Sequence, residues 1–169
     1  LKHPDGQALL LQLVRGADAL IENYRAGVLD KIGLGWSRLH AENPRLVYTS
    51  VRGFGDTAGG ASPTMDWPSF DIVAQAMGGW MGISGPDASQ PMKVGGGVGD
   101  TVPGLFAAFG TVTALMHARA TGQGQYVDIA MVDSVLALSE LVVSQYAYAG
   151  VVPQPVGNAL VLRQGLNSY

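Results

Sequence analysis

From Thr101 to Ala118 the chain carries no Asp, Glu, Lys or Arg, and Asp100 and Arg119 bracket the run. A charge-free stretch of that length is either a membrane span or a helix buried inside a soluble domain. Pro103, Gly104, Gly110, Thr111, Thr113 and His117 lie within it, and so many small and polar residues favour the buried helix. The rest of the chain can supply a core for it: 169 residues, 47% of them hydrophobic, suit one domain of ordinary size. Charged residues make up 14% and the net charge is −3, the opposite of a disordered composition. No basic run suggests a nucleic-acid footprint. The absence of cysteine excludes a disulfide scaffold, a Cys-bearing zinc site and a Cys nucleophile. His3, His40 and His117 are too scattered for a metal-ligand spacing. The 24 glycines are not periodic, which excludes collagen and repeat architectures, and they are densest at Gly95-Gly96-Gly97-Val98-Gly99.

Local patterns divide the chain into alternating elements. Residues 5–15 read as a helix stopped by Gly16, and residues 17–21 as a short buried strand. A helical turn at 28–32 precedes a short helix capped by Ser37 and closed by Asn43-Pro44. Residues 46–51 form a β-branched-rich strand. A loop from Gly53 to Trp67 leads to a helix opened by Pro68, with Phe70, Ile72, Val73, Ala76, Met77 and Trp80 at helical spacing. After a second loop, Ser84–Gly99, come the apolar helix at 101–119, a strand at 125–130 and a helix at 131–149. The tail beyond has no clear element. The order α-β-α-α-β-α-α-β-α predicts an α/β fold with a largely parallel sheet, and an opening helix without a strand before it fits a doubly wound sheet lacking its first strand.

Asp100 follows the glycine loop and opens the apolar helix, and two readings stand for it. As an N-cap it accepts from the backbone N–H of the second or third helical residue. Pro103 would then be the third and has no N–H to give. That frees the carboxylate to act as a covalent nucleophile, beside the backbone donors of a helix start. The glycine loop lacks the Lys-Ser/Thr of a P-loop and only loosely matches a dinucleotide fingerprint. Close backbone approach to a ligand or a neighbouring helix explains it better. Asn23-Tyr24-Arg25 follows the carboxyl end of the first strand, where open α/β sheets bind ligands. Tyr24 suits stacking on a ring, and Arg25 and Lys31 suit phosphates. A solvated loop with an aromatic covering the sheet is the competing reading. Asp71, in a first helical turn, opposes the helix dipole. Arg52 and Lys93 read as surface charges, and Met77, Trp80, Met81 and Met116 as core filling. Gln75, His40 and His117 carry no functional expectation.

Taken in order, Leu1-Lys2, Ala17 through Gly27, Asn43-Pro44-Arg45-Leu46-Val47-Tyr48, Gly53-Phe54-Gly55, Phe70-Asp71, Val98-Gly99-Asp100 and Thr121-Gly122-Gln123-Gly124-Gln125 form a specific combination. The chain resembles the family III CoA-transferases, the group that contains formyl-CoA transferase, carnitine CoA-transferase and alpha-methylacyl-CoA racemase. The resemblance runs to about Gly157. It implies the Rossmann-like large-domain portion of that fold, a mostly parallel sheet flanked by helices. Residues 1–150 would be a partial large domain lacking its first strand, and residues 151–169 the start of the connection toward a C-terminal part. Full-length members form interlaced homodimers, so the resemblance implies an internal piece, inactive by itself.

Carried over by position, Asp100 matches the family's nucleophilic aspartate, which passes through a mixed anhydride and an aspartyl-CoA thioester. Lys2, Asn23, Tyr24, Arg25 and Lys31 match positions that hold coenzyme A, as does the segment Trp67-Pro68-Ser69-Phe70. Tyr24 stands where the family usually has Phe. Lys31 replaces the usual Arg, keeping the charge and losing bidentate geometry. Pro68 stands where formyl-CoA transferase has Lys, which argues against formyl-CoA and oxalate. Racemases place a histidine at the position of Phe70, and phenylalanine cannot carry a proton. The resemblance therefore implies a cytoplasmic enzyme that moves CoA from an acyl-CoA to a carboxylic acid, without metal, nucleic acid or membrane. An acyl-CoA racemase or isomerase of the same fold, and a non-catalytic or truncated CoA-binding chain, are the alternatives.

Overall fold

A computed structural model gives the fold and describes residues 1–57, 60 and 62–158. In chain order the elements are α1 (Pro4–Gly16), β1 (Ala19–Glu22), α2 (Val28–Lys31), α3 (Trp36–Glu42) and β2 (Val47–Arg52). They continue with α4 (Asp71–Met77), α5 (Trp80–Ile83), α6 (Val98–Thr121), β3 (Tyr126–Ala130), α7 (Met131–Ala137) and α8 (Glu140–Ala149). Among the described residues the strands form one sheet in the order β1-β2-β3, parallel throughout. Glu22 pairs with Ser50 and Arg52 with Ala130, so the carboxyl ends of all three strands lie on one side.

The central strand β2 is buried on both faces, as its β-branched sequence requires. Tyr48 packs with Val14, Leu29, Leu34, Leu39 and Leu46, the core under α1, α2 and α3. Val47, on the opposite face, packs with Ala114 and Ala118 of α6, and the buried Thr49 and Thr111 hydroxyls meet at 2.7 Å. Asn43 closes α3 as the sequence suggests, and its side-chain amide donates to Val14 O and Ala17 O at 2.9 Å each. Those two bonds tie the end of α3 to the α1–β1 turn.

The apolar helix is amphipathic by size rather than by polarity. Gly99, Pro103, Ala107, Thr111, Ala114 and Ala118 are buried at steps of three and four, and such small residues let the helix backbone lie close to the sheet. The opposite stripe holds Leu105, Phe109 and Met116, which are 66%, 74% and 69% exposed. Among the described residues α6 has the length and hydropathy of a membrane span, yet one of its faces is the wall of a sheet core. The helix expected to be buried is therefore buried along one stripe only.

Other boundaries also differ. Helix α6 starts at Val98, three residues before the expected start, with Gly97 in the left-handed region at φ 66° as its cap. Gly35, and not Ser37, precedes the first turn of α3. The helix expected from Pro68 begins at Asp71 and breaks at Gly78-Gly79, where Gly79 has φ 90°. The helix expected over 131–149 divides at Leu138-Ser139. There the N–H groups of Leu138 and Ser139 bond three residues back, to Val135 O and Leu136 O, tightening the last turn of α7. Met77 and Met116 are exposed and do not fill the core. Among the described residues the element order consequently has two more helices than expected. Residues 151–158 have no helix or strand, and the remainder of the expected connection, 159–169, lies outside the described residues.

Candidate active site

The loops after β1 and β2, the segment before α4 and the first turn of α6 surround a cavity of about 850 Å³. From the first loop it takes Asn23, Tyr24 and Arg25, with Lys31 from α2. From the segment before α4 it takes Trp67, Pro68, Ser69 and Phe70, and from α6 it takes Asp100. These are all of the sequence-derived site residues except Lys2, which is exposed near the N-terminus and does not line the cavity. Met65, Asp66 and Met131 also line it. Nothing in the local sequence pattern marks them, because they arrive through the turn before Trp67 and the start of α7.

Asp100 is not the cap of α6. It is the third residue of the helix, and its side chain makes no capping bond. The capping work is done from another helix. The Asp71 carboxylate accepts the Gly99 N–H at 2.7 Å, one of the first-turn donors that have no partner within a helix. The Asp100 and Thr101 N–H groups both turn back to Gly97 O, at 3.0 and 2.9 Å. Asp100 is left exposed, and its carboxylate has no hydrogen-bond or ion-pair partner among the described residues. A carboxylate in a first turn sits favourably in the helix dipole and is here free to react.

Asp71 is itself held. The Gln75 side-chain amide donates to Asp71 Oδ1 at 2.8 Å, and Lys93 Nζ lies 3.7 Å from Oδ2. Burial raises the Asp71 pKa, but the bonds from Gln75 and Gly99 and the Lys93 charge outweigh it and hold it below the usual carboxylate range. The fully buried Gln75 also pairs with both backbone groups of Val94, donating to its O at 3.1 Å and accepting its N–H at 2.7 Å. One acid and one amide thus fix the path of the glycine-rich loop into α6. Gly99 is required by close approach, since a Cβ there would lie 2.5 Å from Asp71 O.

At the other wall, Arg52 is buried, contrary to its reading as a surface charge. Its guanidinium donates to Glu22 Oε1 at 2.9 Å and to Asp56 Oδ2 at 2.6 Å. Tyr48 and Tyr126 donate their hydroxyls to Glu22 and Asp56, at 3.1 and 3.0 Å. Burial would lower the Arg52 pKa, and the two carboxylates more than reverse that. Burial likewise raises Asp56, which the Tyr126 bond and the Arg52 charge bring below its ordinary value. Tyr126 is pushed up to about 12, first by burial. The guanidinium of Arg52 is therefore committed to the protein and not available to a ligand. The free cations of the cavity are Arg25 and Lys31, neither of which has a carboxylate partner among the described residues. Two cations beside exposed aromatic rings (Phe70 is 68% exposed) suit an anionic ligand with a flat ring.

Comparison with known proteins gives a consistent result. The family model for CoA-transferase family III matches residues 1–169. A succinyl-CoA:mesaconate CoA-transferase of Haloarcula hispanica is 45% identical over 149 residues, which cover 88% of the chain and 38% of that protein. A succinyl-CoA–D-citramalate CoA-transferase of Chloroflexus aurantiacus is 41% identical, over 95% of the chain and 39% of that protein. Among solved structures, a CAIB/BAIF family protein from Brucella suis superposes with a TM-score of 0.87 at 34% identity, covering 94% of the chain and 41% of that structure. The chain spans about two-fifths of the length of these relatives.

Proposed function

Because the chain belongs to CoA-transferase family III, we propose that it supplies the nucleophile and much of the CoA site of an enzyme moving CoA from an acyl-CoA thioester to a free carboxylic acid. The observation that carries this reading is the uncommitted Asp100 carboxylate, in the same cavity as the unpaired cations Arg25 and Lys31. Arg25 and Lys31 hold the phosphates of CoA, Asn23 and Tyr24 its nucleotide, and the Trp67–Phe70 segment flanks the thioester. Lys2 is kept as a CoA contact by position alone.

In the first step an Asp100 oxygen attacks the thioester carbonyl carbon, and the C–S bond breaks to give an acyl-aspartyl anhydride and CoA thiolate. The thiolate attacks the aspartyl carbonyl, and the C–O bond breaks to release the donor acid and leave an aspartyl-CoA thioester. The acceptor carboxylate attacks that thioester and expels the thiolate, forming a second anhydride. The thiolate attacks the acceptor's carbonyl in that anhydride, giving the new acyl-CoA and restoring Asp100. No proton, electron or metal is consumed. Each tetrahedral oxyanion forms beside the first turn of α6, where the positive end of the helix dipole favours it. Phe70 lines the same cavity and cannot carry a proton, which disfavours a two-base racemase. The reading brings with it a cytoplasmic homodimer.

The test uses the natural full-length protein with a panel of acyl-CoA thioesters, beginning with succinyl-CoA, the donor named for the Haloarcula and Chloroflexus relatives. Quenched samples are examined by mass spectrometry, with hydroxylamine to trap an activated carboxyl as its hydroxamate. A modified Asp100 peptide is expected. CoA binding without modification of Asp100 by any thioester would overturn the mechanism.

A further inference from the structure

The structure assigns Glu22 and Arg52 a positioning role: their buried ion pair clamps the backbone of Tyr24 and thereby sets the Asn23–Arg25 loop for the nucleotide half of a CoA thioester. This role rests on the CoA reading of the cavity.

The clamp follows from the sheet. Glu22 ends β1 and Arg52 ends β2, and the pairing of Glu22 with Ser50 puts Arg52 one pleat further along the same face. Their side chains are only 3% and 5% exposed. Arg52 uses its planar fork on three acceptors at once: Nη2 on Glu22 Oε1, Nε on Asp56 Oδ2, and Nη1 on the carbonyl of Tyr24. Glu22 uses its second oxygen, Oε2, to accept the Tyr24 N–H at 2.7 Å. Both backbone polar groups of Tyr24 therefore end on the same ion pair. The Val28 N–H adds a local bond to Arg25 O at 3.1 Å, while the side chains of Tyr24 and Arg25 line the cavity and are exposed.

A buried ion pair is a poor source of stability, since well-packed apolar residues often replace one at no loss. What this one supplies is a fixed path for three residues whose side chains point at ligand space. Asp56, held by Tyr126 and by its own N–H bond to Asp128, keeps the guanidinium from turning.

The test is a pair of conservative variants, Glu22→Gln and Arg52→Lys, in the natural full-length protein. Binding of CoA and of its nucleotide half, 3′-phospho-ADP, is measured by calorimetry, together with kcat and the KM values for acyl-CoA and acceptor acid. Both variants should weaken CoA and 3′-phospho-ADP by the same factor, about tenfold for a displaced charge-assisted contact. The KM for acyl-CoA should rise in step, and kcat and the acceptor KM should stay within about twofold. Thr111→Val breaks the buried Thr49–Thr111 hydroxyl pair between β2 and α6, outside this network, and serves as the structural control. It should lower the melting temperature and leave nucleotide affinity unchanged. Variants that melt earlier yet bind 3′-phospho-ADP like wild type would overturn the clamp, as would a loss of kcat with nucleotide affinity intact. Wild-type protein that binds neither CoA nor 3′-phospho-ADP would instead overturn the CoA reading itself.

Discussion

The Asp71 carboxylate accepts the backbone N–H of Gly99 at 2.7 Å, one residue before Asp100. Two acids in neighbouring helices thereby divide two tasks that a single Asp at a helix start usually performs. Asp71 satisfies the helix terminus, and Asp100 keeps its oxygens. Three expectations follow from the surroundings of this pair, and a fourth from the core.

Asp71→Asn tests the division of labour through pH. The folded pKa of Asp71 lies below its ordinary value, so its ionised form stabilises the fold at neutral pH. That contribution is complete above about pH 4, the unfolded value, and is lost as pH falls through the folded value. The variant should be less stable than wild type by about 1–2 kcal/mol at pH 7, and the gap should close in acid. Urea midpoints at the two pH values measure it. A gap of equal width at both would show that the charge of Asp71 is not what matters.

Gly99→Ala puts a methyl group 2.5 Å from Asp71 O and 3.0 Å from its Oδ1. Backbone and carboxylate cannot both yield without moving the first turn of α6. A stability loss of about 1–3 kcal/mol is expected from overpacking, with a fall in kcat larger than that seen for Gly104→Ala, whose added Cβ meets open space. Thermal melts and steady-state rates on the full-length protein decide it.

Arg25→Ala should raise the KM for acyl-CoA about tenfold, the worth of one charge-assisted contact to phosphate. Lys31→Arg should lower it, because a fork replaces a point charge at a phosphate site. Both effects should shrink as salt rises from 50 to 500 mM, about the range over which screening acts on exposed charges. Salt-independent KM values would remove the phosphate role.

Thr111→Val leaves the buried Thr49 hydroxyl without its partner. A loss of about 1–3 kcal/mol is expected, whereas Thr49→Val with Thr111→Val should cost less than the single change, since no orphaned hydroxyl remains. A double-mutant cycle from denaturant melts checks the sign of the coupling.

The parallel sheet was legible because its strands are short β-branched or apolar runs bounded by turn residues, as at Leu46–Val51 and Ala17–Ile21. Most of the candidate site was legible too, through the ordered motifs and through the rule that ligands gather at strand carboxyl ends. What the linear pattern hid was partnership. Arg52 looks like a lone charge beside a loop. Its burial depends on Glu22 and Asp56, and the first of these becomes a neighbour only when β1 and β2 pair in register. A cap reading stays open for Asp100 in the sequence because Asp71, the acid that serves α6, is 28 positions away from Gly99. The apolar run of α6 carried no mark of its two stripes in polarity, since both are uncharged and only the volumes of their side chains differ. Helix ends at Gly78-Gly79 and Leu138-Ser139 depended on local backbone bonding that composition does not encode.

The hold on Tyr24 runs entirely through its peptide N–H and C=O, which every residue but proline shares. Position 24 is accordingly a socket: the frame stays put whichever ring is inserted. Exchanging tyrosine for phenylalanine, or for a residue suited to another ligand, alters what the loop touches without altering where it runs. Contact chemistry at this edge of the cavity can drift under selection, or be redesigned, while the path of the backbone is inherited unchanged.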